Sequence, residues 1–228
     1  MGLLTSIRET VSEKLDDFFE KAESFIEAVV EFFVKIFNPV SEPPKTFLDE
    51  IEETLNETEQ KKVEETQALI RDSFGDDPAE YFCGRSKLER SKDIVAFAEK
   101  VAECYGLDGI HIDIMVSGKL AGYYKPESNT LYINSIYLTL DEVERSENFP
   151  DLVLETINTI IHELRHAVQH YAIVQQGFWN IDKNRVRAWE ENFEHYIDPE
   201  LDRPGYDKQA VEWDATGFAA VVMKGVQK

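Results

Sequence analysis

Thr159-Ile160-Ile161-His162-Glu163-Leu164-Arg165-His166-Ala167-Val168 carries the strongest chemical signal in the chain, and it lies inside an apolar run over about residues 149–175. The length and spacing of that run predict a single α-helix. On such a helix His162 and His166 stand about 40° apart around the axis and one turn, roughly 6 Å, apart along it. Two imidazoles can then point at one ion. Glu163 lies about 100° round from His162, close enough to reach a water on that ion but too far round to replace a histidine as ligand. This H-E-x-x-H spacing is the one in which the histidines hold zinc and the glutamate serves as general base.

The surrounding residues support that reading. Leu154, Ile157, Ile161, Leu164 and Val168 form a stripe at helical spacing on a different side from the two histidines, so the helix can be buried while both rings face something else. The plain alternative makes His162 and His166 surface or core-edge histidines with local partners. Against it, three of the five histidines in the chain (His162, His166 and His170) fall within one short segment.

A catalytic zinc takes three protein ligands and leaves one position for water, so a third ligand must come from elsewhere. A last helix is predicted over about residues 207–223. There the side of Glu212 also carries Ala215, Thr216 and Ala219, small residues that allow a close approach of two helices. Glu212 is the first candidate, because a carboxylate facing alanines needs a cation to justify its position. Asp214 lies about 200° away on the same helix. His195 remains open as well, since its loop has no readable geometry. His170 is a poorer choice, roughly 12 Å further along the axis than His162.

The composition bounds the rest. The chain has 228 residues, 43% of them hydrophobic, enough for one substantial core or a domain with an appendage. Its 45 acidic against 24 basic residues give a formal charge of -21, which disfavours nucleic acid and suits a basic peptide partner. Charges at Arg8, Glu9, Glu13, Lys14, Asp16 and Asp17 interrupt any secretory signal core, and no stretch reaches the roughly 18 apolar residues of a membrane span. Cys83 and Cys104 form no C-x-x-C pair and are read as reduced thiols, so the expected location is cytoplasmic. The opening Met1-Gly2-Leu3-Leu4-Thr5-Ser6 fits the loose N-myristoylation pattern, which matters only in a eukaryotic cell.

Residues 4–37 repeat apolar side chains every three or four positions, predicting one long amphipathic helix. Its broad stripe suits a second helix of the same chain, self-association or a protein partner. Membrane adsorption ranks last, because the polar face is richer in Asp and Glu than in Lys. Pro39, Pro43 and Pro44 break this helix. A second helix follows over residues 46–74 with a polar middle, and Gly75-Asp76-Asp77-Pro78 places a domain boundary near residue 78. The division is a helical region over 1–78 and a second domain over 79–228. In that domain a helix over residues 86–105 would bury Leu88, Ile94, Phe97, Ala98 and Val101. A strand over 110–116 and a hairpin of 121–124 with 130–134 complete a small antiparallel or mixed sheet. A short helix is read at residues 186–196, and the fold class is α+β.

This order of parts resembles the zincin metallopeptidases of gluzincin type: a sheet, then His162-Glu163-Leu164-Arg165-His166 on a helix, then a helix with Glu212-Trp213-Asp214-Ala215. In many of them the third ligand opens an E-x-x-A segment. The run 212–220 is also similar to the corresponding helix of small bacterial and phage zincins of the ImmA/IrrE-like group. The resemblance covers about residues 110–224. It implies zinc on His162, His166 and Glu212, with a zinc-bound water attacking a peptide carbonyl and Glu163 as general base. Tyr206 and His195 are the candidate oxyanion donors, and Thr130 to Asn134 would be the edge strand that receives a peptide or protein substrate. Two departures stand out. Arg165 occupies a position where that group commonly has glycine, so its guanidinium either pairs with an acid or crowds the site. Gln169 and Ala172 stand where a metzincin would have glycine and a third histidine. The competing expectation is a non-hydrolytic binding or regulatory protein whose N-terminal helix recognises a partner.

Overall fold

The structure is a computed structural model and describes residues 45–117, 120–134, 149–199 and 201–226. The helix expected over residues 4–37 lies outside the described residues. The described part is α+β, mostly helical, with one three-stranded sheet.

Helix α1 (Lys45–Thr54) leads into α2 (Glu57–Phe74). Asn56 caps α2 by accepting from the amides of Thr58 and Glu59, and the Glu59 carboxylate accepts in return from the Asn56 amide at 3.0 Å. A short helix α3 (Pro78–Phe82) then turns the chain into α4 (Lys87–Tyr105). Ser86 and Glu89 form a second capping box, and Gly106 ends α4 in the left-handed conformation. Ile94, Phe97, Ala98 and Val101 of α4 are buried, but Leu88 is 64% exposed. The first turn of the helix overhangs the core, which corrects the expectation for Leu88.

The sheet is mixed. Strands β1 (His111–Met115) and β3 (Thr130–Asn134) run parallel, while β2 (Gly122–Lys125) makes the expected antiparallel hairpin with β3. Their order is β1-β3-β2, so β3 is the central strand, and both of its edges are occupied. It therefore cannot receive an added strand, contrary to the sequence-based expectation. The edge strand beside the histidine helix is β2. Leu131 and Ile133 of β3 are fully buried, on the face that α4 and the histidine helix α5 (Phe149–Val174) cover.

The remaining elements follow α5. Gly177 has φ +83, conformational room that only glycine has at no cost, and it opens a 3-10 turn over Phe178–Asn180. Helix α6 (Lys183–Glu194), the short α7 (Arg203–Tyr206) and the final helix α8 (Ala210–Lys224) complete the chain. Helix α8 packs along α5 through Ala215, Phe218, Ala219 and Val222, all essentially buried, whereas Thr216 of the expected small-residue face is exposed.

The compact unit containing the histidines begins at Lys45, so it includes α1 and α2 and its boundary falls at residue 44 and not near residue 78. The physical reason is packing against the far end of the sequence. Ile51 of α1 is 2% exposed and sits where a Cβ on Gly217 of α8 would come within 2.5 Å of its Cδ1. Helix α2 reaches α8 as well, with the Gln67 amide donating to the Val222 carbonyl at 3.2 Å. Cys83 and Cys104 are both free thiols. Among the described residues no helix is long and apolar enough to cross a membrane.

Integration of α1 can be tested through Ile51. Ile51→Ala is expected to lower the unfolding free energy by about 2–5 kcal/mol, because the cavity adds to the lost burial. Denaturant titration of the full chain reads this, and an unchanged midpoint would place α1 outside the core.

Candidate metal site

His162 and His166 lie one turn apart on α5, with ring centroids 4.8 Å apart and planes at 83°. Their Nε2 atoms face each other at 3.1 Å. Glu212, in the first turn of α8, meets both rings. Its Oε2 lies 3.4 Å from His162 Nε2 and its Oε1 lies 3.4 Å from His166 Nε2. The three side chains form a cluster that could hold a metal ion. The close contact of α5 and α8 brings them together across the 45 residues that separate His166 from Glu212.

Burial sharpens the electrostatics. Glu212 is 2% exposed. Burial opposes its charge, but hydrogen bonds and positive charge from His162 and His166 outweigh this and hold the carboxyl well below the usual carboxylate range. Burial likewise disfavours the charged His166 ring. Glu212 beside it prevails, with help from Glu163, and raises its pKa to about 9. A divalent cation held here would take the place of the ring protons beside the buried carboxylate, since a ligating imidazole is neutral.

Two tyrosines complete the shell of Glu212. The Tyr206 hydroxyl donates to Oε2 and the Tyr196 hydroxyl to Oε1, both at 2.7 Å. Their rings meet edge-on at 6.0 Å. Burial first, and then the Glu212 charge, push both phenols far above their ordinary range, so both remain donors. Glu163 stands beside the cluster and outside it. Its Oε2 accepts from the Tyr124 amide of β2 at 3.0 Å. Gly122 makes this possible: a Cβ there would come within 2.8 Å of Thr159 Cγ2 and 2.9 Å of the Tyr132 carbonyl, so only glycine lets β2 approach α5 so closely.

The other sequence candidates go elsewhere. His195 ends α6 in an exposed position, with Nδ1 against the Glu191 carbonyl at 3.0 Å, and is not part of the cluster. Asp214 turns away from the cluster and pairs with Arg165, whose Nε donates to its Oδ2 at 2.8 Å. Arg165 also reaches Glu59, so its guanidinium is paired with acids and does not crowd the histidines. His170 stacks on Phe193 at 4.1 Å, and burial together with the neighbouring His166 lowers its pKa to about 4.

Comparison with known proteins adds no relative. No family model matches the chain, and no curated protein or solved structure matches it.

Two residues of the site were missed in the sequence. Gln169 accepts from His166 Nδ1 at 2.9 Å. Its position, three residues on along the same helix face, was a readable signal. Tyr196 lies in a segment without periodicity, and nothing in the sequence singles it out.

In chelator-treated protein, Tyr206→Phe removes one hydrogen bond to a buried charge and is expected to lower the unfolding free energy by about 1.5–3 kcal/mol. Equilibrium denaturation checks this, and a parent-like value would mean that the hydroxyl does not support Glu212.

Proposed function

We propose that the protein is a zinc-dependent peptidase with a zincin-like domain, in which His162, His166 and Glu212 hold the ion and Glu163 is the general base. The observation that carries the reading is the meeting of Glu212 with both imidazoles. Tetrahedral zinc with bonds of about 2.0–2.1 Å has ligand-to-ligand edges of about 3.3 Å. The Nε2 separation of 3.1 Å is close to such an edge, and each imidazole has a Glu212 oxygen at 3.4 Å, Oε2 for His162 and Oε1 for His166, with the three ligand atoms all within 4.8 Å of one another. Two nitrogens and one carboxylate oxygen are also the donor set of a hydrolytic zinc centre.

The placement of Glu163 supports hydrolysis over a purely structural metal, because a structural ion needs no neighbouring base. When bound, zinc would acidify a water and polarise the substrate carbonyl. The chain's own residues do the rest. Glu163 takes the proton of the attacking water and passes it to the departing amine. Strand β2 pairs with β3 alone among the described residues, so its outer edge is available to an extended peptide. The Tyr124 amide on that edge, now on Glu163, lies where such a peptide would meet the base. Tyr206 and Tyr196 are the hydroxyl donors at the site, and one of them would stabilise the developing oxyanion, a contribution of about 10²- to 10³-fold. The charge of -21 favours basic substrates.

A non-hydrolytic metal-binding protein is the second reading, favoured by the closure of the centre: the His162 side chain is only 17% exposed. Metal analysis with peptidase assays separates the two. About one zinc per chain is expected in the parent and in Glu163→Gln. A large loss of metal is expected in Glu212→Ala, with hydrolysis of basic peptides reduced at least about 10²-fold in both variants. Full zinc occupancy in Glu212→Ala would reassign the third ligand. A metal-loaded parent without peptidase activity would favour the second reading.

A further inference from the structure

Behind the cluster lies a buried network that the hydrolytic reading does not use. Glu59, Arg165 and Gln169 are 0% exposed and Asp214 is 4% exposed. Asp214 Oδ2 accepts both from Arg165 Nε at 2.8 Å and from Gln169 Nε2 at 2.7 Å. Arg165 and Arg185 each bridge Asp214 to Glu59, the residue that also closes the cap of α2. Trp179, Trp189 and Phe218 pack over the Arg165 guanidinium. An ionic group of this kind is a poor source of stability, since apolar side chains of equal volume commonly serve as well or better. Its geometry suggests another purpose.

The Gln169 amide shows it. Its nitrogen donates to two acceptors, Asp214 Oδ2 and the Val211 carbonyl at 2.9 Å. A flipped amide would set its oxygen against both, so Oε1 must face His166. His166 Nδ1 therefore carries a proton, and the lone pair of the neutral ring sits on Nε2, the atom that faces His162 and Glu212.

We propose that Gln169 is a positioning residue that fixes the metal-binding tautomer and orientation of His166, and that Asp214, held by Arg165, Arg185 and Glu59, keeps the Gln169 amide from turning. The inference rests on the metal reading and extends it. It makes α2 part of the centre, although no residue of α2 belongs to the ligand cluster.

The test is zinc affinity of the full chain, measured by competition with a chromophoric chelator, together with the visible spectrum of the Co(II)-loaded protein. Gln169→Met and Asp214→Asn should each weaken zinc binding by about 10- to 100-fold, and each should alter the Co(II) spectrum. The double variant should lose no more than the worse single one, because Asp214 acts through Gln169. Ile51→Ala, which damages the core away from the ligands, should leave the spectrum parent-like. If Asp214→Asn does not fold, Gln169→Met alone decides. Parent-like affinity in Gln169→Met, or losses that multiply in the double variant, would overturn the inference. A parent that binds neither zinc nor Co(II) would overturn the metal reading itself.

Discussion

A carboxylate with almost no access to water must be neutralised where it sits, and Glu212 imposes that condition on the contact between α5 and α8. Small side chains on α8 let the two helices close, and closure leaves Glu212 no partners except those the protein supplies. On one side stand His162 and His166, and on the other the hydroxyls of Tyr196 and Tyr206. The same helix contact carries a second charged pair, Arg165 with Asp214, on the opposite face of α8. The interface is thus polar on both flanks and apolar between them, with Ala215, Phe218, Ala219 and Val222 filling the middle.

The sheet contributes position and not ligands. It lies across α5 with Leu131 and Ile133 inward, and the absence of a side chain at Gly122 lets β2 settle against Thr159 and Glu163. That contact holds the Glu163 carboxylate on a backbone amide, next to the two histidines but apart from them. On the proposed hydrolytic reading, Glu163 fixed in this way would not compete for the ion and would face the strand edge offered to a peptide. The division of labour between α5, α8 and β2 follows from three local facts: the i, i+4 spacing of the histidines, the small residues of α8, and one glycine.

Much of this was legible in the sequence, where the determinants are local. The histidine helix, the hairpin of 121–124 with 130–134 and the choice of Glu212 over Asp214 all follow from periodicity or angular position on one element, whereas the single helix expected over residues 46–74 is two, because Asn56 caps a new helix there. What was not legible depends on partners distant in the chain. Strand order cannot be read from alternation, so β3 was taken for an edge when the parallel partner β1 covers it. The boundary near residue 78 failed because α1 and α2 find their packing surface on α8, more than a hundred residues away. The polar stretch over residues 56–66 gave no sign of burial for a related reason: Glu59 is buried through Arg165 and Arg185, and no hydrophobicity pattern reports an ion pair. Leu88 shows the converse, an apolar residue at helical spacing that the core does not reach.

The central claim is that two imidazoles and one carboxylate from separate segments grip a single divalent ion. Anomalous diffraction at the zinc edge from crystals of the zinc-loaded protein tests it most directly. The account predicts one strong peak bonded to Nε2 of His162, Nε2 of His166 and a carboxylate oxygen of Glu212, at about 2.0–2.2 Å. A peak at another set of side chains, or no peak while Glu212 remains hydrogen-bonded to its tyrosines, would contradict it.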